Sequence, residues 1–256
     1  EVWMANSPDF VTCVGQPAAD CTVHRGNGPH ILLMGDSTMH AVVSGFEELA
    51  RRQDLTLSLG TRPGCPWPRG HYVLNADIQS ACKELKEDLY TRVLPALRPD
   101  VVVLLDSGIS ADLDQADPAD SPGAPAYRTA VLASVPQLAE FAGSVVMIDP
   151  LPKAAPLLDP LECLSRALYV EQCRFVAPAG RSWIEELYRE AAAAEPRASV
   201  LDLDRLACPT LPICEAMVDG RAVWWDGQHV ARDFAATWAD DLHRELAAIG
   251  ALPPRR

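Results

Sequence analysis

The stretch PHILLMGDSTMH, Pro29 to His40, joins an apolar run, Ile31 to Met34, to Gly35-Asp36-Ser37 and then to a helical pattern. A short apolar run closed by a Gly turn reads as a buried strand. Val42, Val43, Phe46, Leu49 and Ala50 follow at helical spacing, so the strand feeds a helix. Ser37 then stands at the carboxyl end of a strand and at the head of a helix, where ligands bind in an open α/β sheet. The free N–H groups at a helix start can stabilise an oxyanion, which makes Ser37 a candidate nucleophile. Ser in that place also serves as a plain N-cap, and the rest of the chain decides between the two roles.

Outward from this stretch, strands alternate with helices. Leu55–Leu59 alternates as a short strand, 61–70 is a Gly/Pro-rich loop, and Ile78–Leu97 carries a helical pattern. Val101–Leu105 is a second continuous apolar run, the mark of a strand buried on both faces. An acidic loop, Asp106–Pro125, leads to a helix over Tyr127–Phe141 and a third buried strand, Ser144–Ile148. A Pro-rich segment, Leu151–Pro178, is followed by a helix at Trp183–Ala194 and a strand at Ser199–Leu203. Ala207–Gly220 is a Cys- and Pro-bearing excursion, Ala222–Trp225 is extended, and Val230–Ile249 is an amphipathic helix. This order implies a three-layer α/β/α sandwich with a central, mostly parallel sheet. Right-handed crossovers place Ser37 and the loops after Leu59, Leu105, Ile148 and Leu203 on one rim. Residues 1–28 are polar and irregular and read as an N-terminal extension held by a disulfide; residues 29–256 read as a single domain.

A chain of 256 residues suits one α/β domain. The net charge is −13 and no Lys/Arg cluster is dense enough to track phosphates. That argues against nucleic acid and anionic membrane surfaces as partners, and no nucleic acid is expected. The eight cysteines fall in close pairs at 13 and 21, 65 and 82, 163 and 173, and 208 and 214, each pair in a Pro-, Gly- or polar-rich region rather than in a predicted strand and none in a CxxC. Such a set suits disulfides in an oxidising compartment and points to an extracytoplasmic protein. The chain carries no signal peptide or bilayer-spanning run and does not begin with Met, so it is expected to be part of a larger secreted or membrane-anchored protein.

A Ser nucleophile needs a base, and the base needs an orienting acid. Of six histidines, His229 stands out in Trp224-Trp225-Asp226-Gly227-Gln228-His229. Asp226 and His229, three residues apart in a turn, can share one side: the carboxylate holds Nδ1–H and leaves Nε2 facing the rim. His40 is placed on the helix surface, and His24, His71 and His243 are read as solvated or structural. His30 precedes a buried strand and is read as packing against its start. The acidic run at Asp112, Asp114, Asp117 and Asp120 lacks the spacing of a calcium loop. GxGxxG, a Walker loop and GxSxG are all absent. No cofactor and no metal are expected.

Gly-Asp-Ser after the first strand, joined to Asp-x-x-His near the carboxyl end, resembles the SGNH (GDSL-like) hydrolase/acyltransferase superfamily. More specifically, ILLMGDST (31–38), GCPWP (64–68) with Cys82, and CPTLPIC (208–214) followed by DGRAVWWDGQHVA (219–231) resemble the extracytoplasmic SGNH domain fused to bacterial membrane acyltransferase-3 proteins. The resemblance implies a Ser37–His229–Asp226 triad and disulfides Cys13–Cys21, Cys65–Cys82, Cys163–Cys173 and Cys208–Cys214. It implies a membrane acyltransferase-3 domain that hands over an acyl group, such as acetyl, for transfer to a cell-surface glycan or glycolipid. The alternatives are a carbohydrate esterase and a non-catalytic glycan-binding module. The superfamily's GxN is missing after Leu105, where the chain reads Asp106-Ser107-Gly108-Ile109-Ser110. The oxyanion donors are then expected from the Ser37 N–H with a loop N–H of Gly60 or Gly64, with Ser107 and Ser110 as further candidates. Thr38 replaces the His that commonly follows the nucleophile in relatives.

Overall fold

The apolar runs assemble into one sheet. In the computed structural model, which describes residues 13–71, 76–108, 123–154, 158–178 and 180–254, the chain begins with β1 (Thr22–His24), β2 (His30–Gly35), α1 (Ser37–Gln53), β3 (Thr56–Thr61), α2 (Ala76–Asp88) and β4 (Val101–Leu105). It continues through α3 (Ala124–Phe141), β5 (Ser144–Ile148), α4 (Pro160–Leu164), β6 (Phe175–Val176), α5 (Trp183–Ala194) and β7 (Ala198–Leu201). It closes with α6 (Asp204–Ala207), β8 (Ile213–Cys214), β9 (Met217–Val218), β10 (Arg221–Ala222), α7 (Arg232–Ala235) and α8 (Ala239–Ala248). The main sheet has six strands in the order β1-β3-β2-β4-β5-β7, all parallel except β1.

Strand alternation divides the core into two layers. Ile31 and Leu33 pack with Val101, Val103 and Leu105 under α1 and α8. Leu32 and Met34 pack with Val102, Leu104 and Met147 under α2, α3 and α5. Both faces are covered, which is why these strands read as unbroken apolar runs. The crossovers β2–α1–β3 and β3–α2–β4 place their helices on opposite faces, so the chain switches direction beside β2. In such sheets the crevice at that point receives ligands, and Ser37 stands there.

Several boundaries move because pairing and packing override local pattern. The strand expected at Leu55–Leu59 runs from Thr56 to Thr61, since its ladder with β2 continues to Gly35 opposite Thr61. The strand expected at Ser199–Leu203 ends at Leu201, where its pairing with Ile148 ends. The last helix begins at Arg232 rather than Val230, which instead bridges to Trp224, and a 3₁₀ turn at Ala236–Trp238 interrupts it. The helix expected to end at Leu97 does so, after a π turn at Leu89–Val93. Within the irregular amino-terminal stretch, Thr22–His24 pairs with β3 and adds an edge strand.

Helix α1 is tightly specified. The Asp36 side chain caps it by accepting from the Thr38 N–H at 2.8 Å, and Asp54 ends it in a left-handed conformation. Gly45 lets α7 approach, for a Cβ there would lie 2.6 Å from the Ala235 carbonyl oxygen. Ser44 Oγ donates to the Arg232 carbonyl at 2.7 Å across the same contact. The carboxyl-terminal segment is thereby pinned to the helix that begins at Ser37. Disulfides Cys13–Cys21, Cys65–Cys82, Cys163–Cys173 and Cys208–Cys214 staple the loops, and no cysteine is free. Short loops of this kind contribute roughly 2–3 kcal/mol each in the loop-entropy picture. Among the described residues, no helix is long and apolar enough to cross a membrane.

Gly35 is the tightest point. Its φ is 155°, and a Cβ on it would stand 1.8 Å from the Leu105 carbonyl oxygen of the neighbouring strand. No rotamer relieves a backbone clash. Gly35→Ala is expected to cost at least about 3 kcal/mol, read as a fall in the urea midpoint; an unchanged midpoint would contradict this packing.

Candidate functional site

The turn between Trp224 and Val230 is closed by their bridge and by the Trp225 N–H, which donates to the His229 carbonyl at 2.7 Å. Inside it, Asp226 folds the chain around its own carboxylate. Oδ1 accepts the N–H groups of Gln228 and His229, each at 2.8 Å. Oδ2 lies 2.7 Å from His229 Nδ1. A carboxylate can only accept, so Nδ1 carries the proton and Nε2 is left with its lone pair. His229 Nε2 stands 2.8 Å from Ser37 Oγ, a contact spanning 192 residues of sequence. Burial pushes the Asp226 carboxyl up, but the hydrogen bonds from the His229 ring and from the Gln228 and His229 amides outweigh it and hold the group below its ordinary range. An ionised Asp226 keeps the imidazole in one tautomer and orientation.

The turn is braced from outside. The Gly227 carbonyl accepts the Ala154 N–H at 2.8 Å, which fastens it to the loop after β5. Buried Trp224 packs on Phe175, with ring centroids 5.2 Å apart, and donates Nε1–H to the Glu215 carbonyl at 3.0 Å. Ser37, Asp226 and His229 thus meet as a hydrogen-bonded chain, with His229 only 4% exposed. Such an arrangement can deprotonate a hydroxyl as it attacks a carbonyl.

A family model described as the SGNH domain fused to AT3 domains matches residues 7–244. The chain belongs to this SGNH family. A search of the curated proteins finds no match. Among solved structures, this SGNH domain is similar to the periplasmic domain of a lipopolysaccharide acetyltransferase from Salmonella ser. Paratyphi A, with 15% identity, a TM-score of 0.60, and coverage of 88% of this chain and 84% of that one. It is similar to a catalytic mutant of Axe2, an acetylxylan esterase from Geobacillus stearothermophilus, at 15% identity and a TM-score of 0.50, covering 90% of this chain and 99% of that one. It is also similar to a family two carbohydrate esterase from Clostridium thermocellum in complex with cellohexaose, at 14% identity and a TM-score of 0.50, covering 90% and 66% of the two chains. At these identities the likeness to solved structures is one of fold.

The remaining site candidates of this SGNH domain occupy different settings. Ser107 donates both its N–H, at 2.9 Å, and its Oγ–H, at 2.8 Å, to Asp36 Oδ2, so both of its donors anchor the loop after β4. The next amide, Gly108 N–H, donates to Asp106 at 3.0 Å. Gly60 lies within the β3 ladder opposite Met34, whereas Gly64 stands beyond the strand with φ 68°. Ser110, with the acidic run 112–120, lies outside the described residues. His40 is buried on α1 rather than lying on its surface, because the sheet covers α1 on one side and the carboxyl-terminal helices cover the other. His71 and His243 are buried as well. His30 is half-buried and bonds Ser58 Oγ at 2.8 Å. Among the described residues, no group of three His, Cys, Asp or Glu side chains is placed to hold a metal ion.

Beneath the nucleophile turn lies a buried polar network that local sequence pattern did not reveal. Asp106 accepts from Tyr127 Oη at 2.9 Å and from Tyr188 Oη at 3.3 Å, the two phenols are 2.7 Å apart, and Trp67 Nε1 donates to Tyr188 at 3.2 Å. Burial, and then the nearby Asp36 carboxylate, push Asp106 up to about 6. Lys86 is buried beside them and donates Nζ–H to the carbonyls of Pro68, at 2.8 Å, and His71. Burial lowers its ammonium to about 7, against the pull of Asp106 and Asp36. The sequence does carry a signal for Lys86: it falls on one apolar stripe with Cys82 of α2 and Leu89 of the π turn that follows, where a cation is out of place.

A lysine whose folded value lies below its unfolded value leaves the unfolded chain holding the extra proton. Stability therefore rises with pH between the two values. From about pH 7 to about pH 9.5 the wild-type urea midpoint should climb. Asp106, at about 6, titrates below this window; Asp204, pushed up to about 7 by burial and then by Asp202, opposes the climb at its lower edge, so the rise shows from about pH 8 upward. Lys86→Met should flatten the climb, and an identical slope in both proteins would contradict a lysine that gives up its proton on folding in this window.

Proposed function

We propose that this chain is a Ser-dependent O-acyltransferase or esterase domain. The observation that carries the reading is the hydrogen-bonded chain Ser37–His229–Asp226, at 2.8 and 2.7 Å. His229 Nε2 takes the proton from Ser37 Oγ as that oxygen attacks the carbonyl carbon of an acyl donor. Asp226 steadies the imidazolium. The Ser37 N–H and the loop amide of Gly64 hold the oxyanion, Gly60 being part of the β3 ladder rather than of the loop. Collapse of the tetrahedral intermediate expels the leaving group, which collects the proton from His229, and leaves Ser37 acylated. A sugar hydroxyl, deprotonated by His229, then takes the acyl group; water in its place gives hydrolysis.

The family, whose model describes a domain fused to AT3 domains, supports a donor handed over by a membrane acyltransferase-3 domain. The likeness to a lipopolysaccharide acetyltransferase's periplasmic domain supports acetyl or a similar group as cargo and a glycan or glycolipid as acceptor. Four disulfides with no free cysteine support an extracytoplasmic location. A non-catalytic glycan-binding module is the competing reading, favoured by the loop after β4, where the Ser107 and Gly108 amides are already taken.

The two readings part on turnover. The chain should hydrolyse 4-nitrophenyl acetate, and Ser37→Ala and His229→Ala should each lower kcat by about 10³-fold or more. Adding a polyhydroxylated acceptor should divert acetyl from water to the acceptor, seen by mass spectrometry of the products. Equal rates in wild type and Ser37→Ala would sink the nucleophile assignment.

A further inference from the structure

The loop after β3, Arg62–His71, carries three prolines in ten residues and no strand of its own. Proline has no N–H, so such a loop must find donors for its carbonyls elsewhere. One stripe of the following helix supplies them. Cys82, Lys86 and Tyr90 recur at spacings of four along α2 and the π turn behind it. Cys82 holds Cys65 as a disulfide. Lys86 Nζ–H donates to the carbonyls of Pro68, at 2.8 Å, and His71. Tyr90 Oη–H donates to the Trp67 carbonyl at 3.2 Å. Beside the stripe, Glu87 pairs with Arg69 at 2.7 Å. All of these anchors fall at Cys65 or after it.

The first part of the loop leads to the nucleophile. The Arg62 N–H donates to the Gly35 carbonyl at 3.0 Å, two residues before Ser37. The Cys65 N–H donates to the Arg62 carbonyl at 3.0 Å and closes a turn around Gly64. Gly64 holds a φ of 68°, a conformation that strains other residues. Among the described residues, nothing accepts the Gly64 N–H. A free amide is thus presented from a turn with two fixed ends, one on the strand that leads to Ser37 and the other on α2.

The choice of a lysine for the second end needs a reason. An apolar side chain would fill the same place without the desolvation that Lys86, 2% exposed, incurs. A single side chain that serves two carbonyls three residues apart needs several donors, and an ammonium carries three. The disulfide fixes the loop at one point. Lys86 and Tyr90 fix the chain beyond that point, so the turn cannot pivot about the disulfide.

We propose that Lys86 and Tyr90 are positioning residues: by holding the Trp67, Pro68 and His71 carbonyls they set the turn that presents the Gly64 amide to the oxyanion. This rests on the reading of Ser37 as nucleophile and Gly64 as oxyanion donor. The ammonium takes no part in the proton transfers, which belong to His229.

The test is steady-state hydrolysis of 4-nitrophenyl acetate by the wild type, Lys86→Met, Lys86→Gln and Tyr90→Phe, with Ser37→Ala alongside. Lys86→Met keeps the length of the side chain and removes its donors. Its kcat should fall about 10²-fold with KM within about twofold, because a misplaced amide weakens the transition state and leaves ground-state binding alone. Lys86→Gln, which keeps an amide donor, should recover part of that loss. Tyr90→Phe removes one oxygen and no charge, so it folds even where a Lys86 variant does not, and its kcat should fall about tenfold. A boronic acid that forms a tetrahedral adduct on Ser37 should lose affinity in step with kcat/KM, a readout that a merely structural role would not move. Wild-type kcat in folded Lys86→Met or in Tyr90→Phe, or a change confined to KM or to the melting temperature, would overturn the proposal. A wild type no faster than Ser37→Ala would instead sink the reading of Ser37, and the proposal with it.

Discussion

One carboxylate joins the two central strands where they leave the sheet. Asp36 accepts from Thr38 at the head of α1 and from both donors of Ser107 at the end of β4. It therefore fixes the nucleophile turn and the facing loop with a single buried group. The clamp works only because Gly35 allows β2 to lie against Leu105 without a side chain between them. Everything at the site depends on that contact: the direction of Ser37, the reach of His229 to it, and the position of the loop where relatives carry an oxyanion donor.

The architecture was legible because its causes are local. A continuous apolar run followed by Gly-Asp-Ser can be read without knowing its neighbours, and so can a carboxylate three residues before a histidine in a turn. Asp226 makes three of its bonds within that turn, so its pairing with His229 is nearly a property of the hexapeptide. The mostly parallel sheet, and the rim that gathers Ser37 and the other loops, followed from alternation and crossover handedness; the strand order itself did not, because it depends on which strands pair across the sheet.

What was not legible arises from distance in sequence. Asp106, Tyr127 and Tyr188 meet across as many as 82 residues, and no periodicity announces them. His40 looked like a surface residue because the coverage of α1 by the carboxyl-terminal helices is a tertiary fact. The edge strand Thr22–His24 exists because β3 offered a free edge, not because three residues favour extension. Ser107 shows the same lesson on a small scale. A hydroxyl on the rim reads as a candidate donor to a ligand, yet its nearest acceptor is the protein's own Asp36.

The buried charges beneath the turn complete the picture. Asp36, Asp106 and Lys86 share a space closed to water, where removing one partner leaves another uncompensated. They hold the floor of the site in one arrangement, and the Ser37–His229–Asp226 chain is built above it. Stoichiometric labelling by a serine-directed sulfonyl fluoride, located by peptide mass mapping, tests that chain most directly. The label should sit on Ser37 in the wild type and be lost or slowed about 10³-fold in His229→Ala. Labelling spread over other serines, or a His229→Ala protein labelled at the wild-type rate, would contradict an activated nucleophile at Ser37.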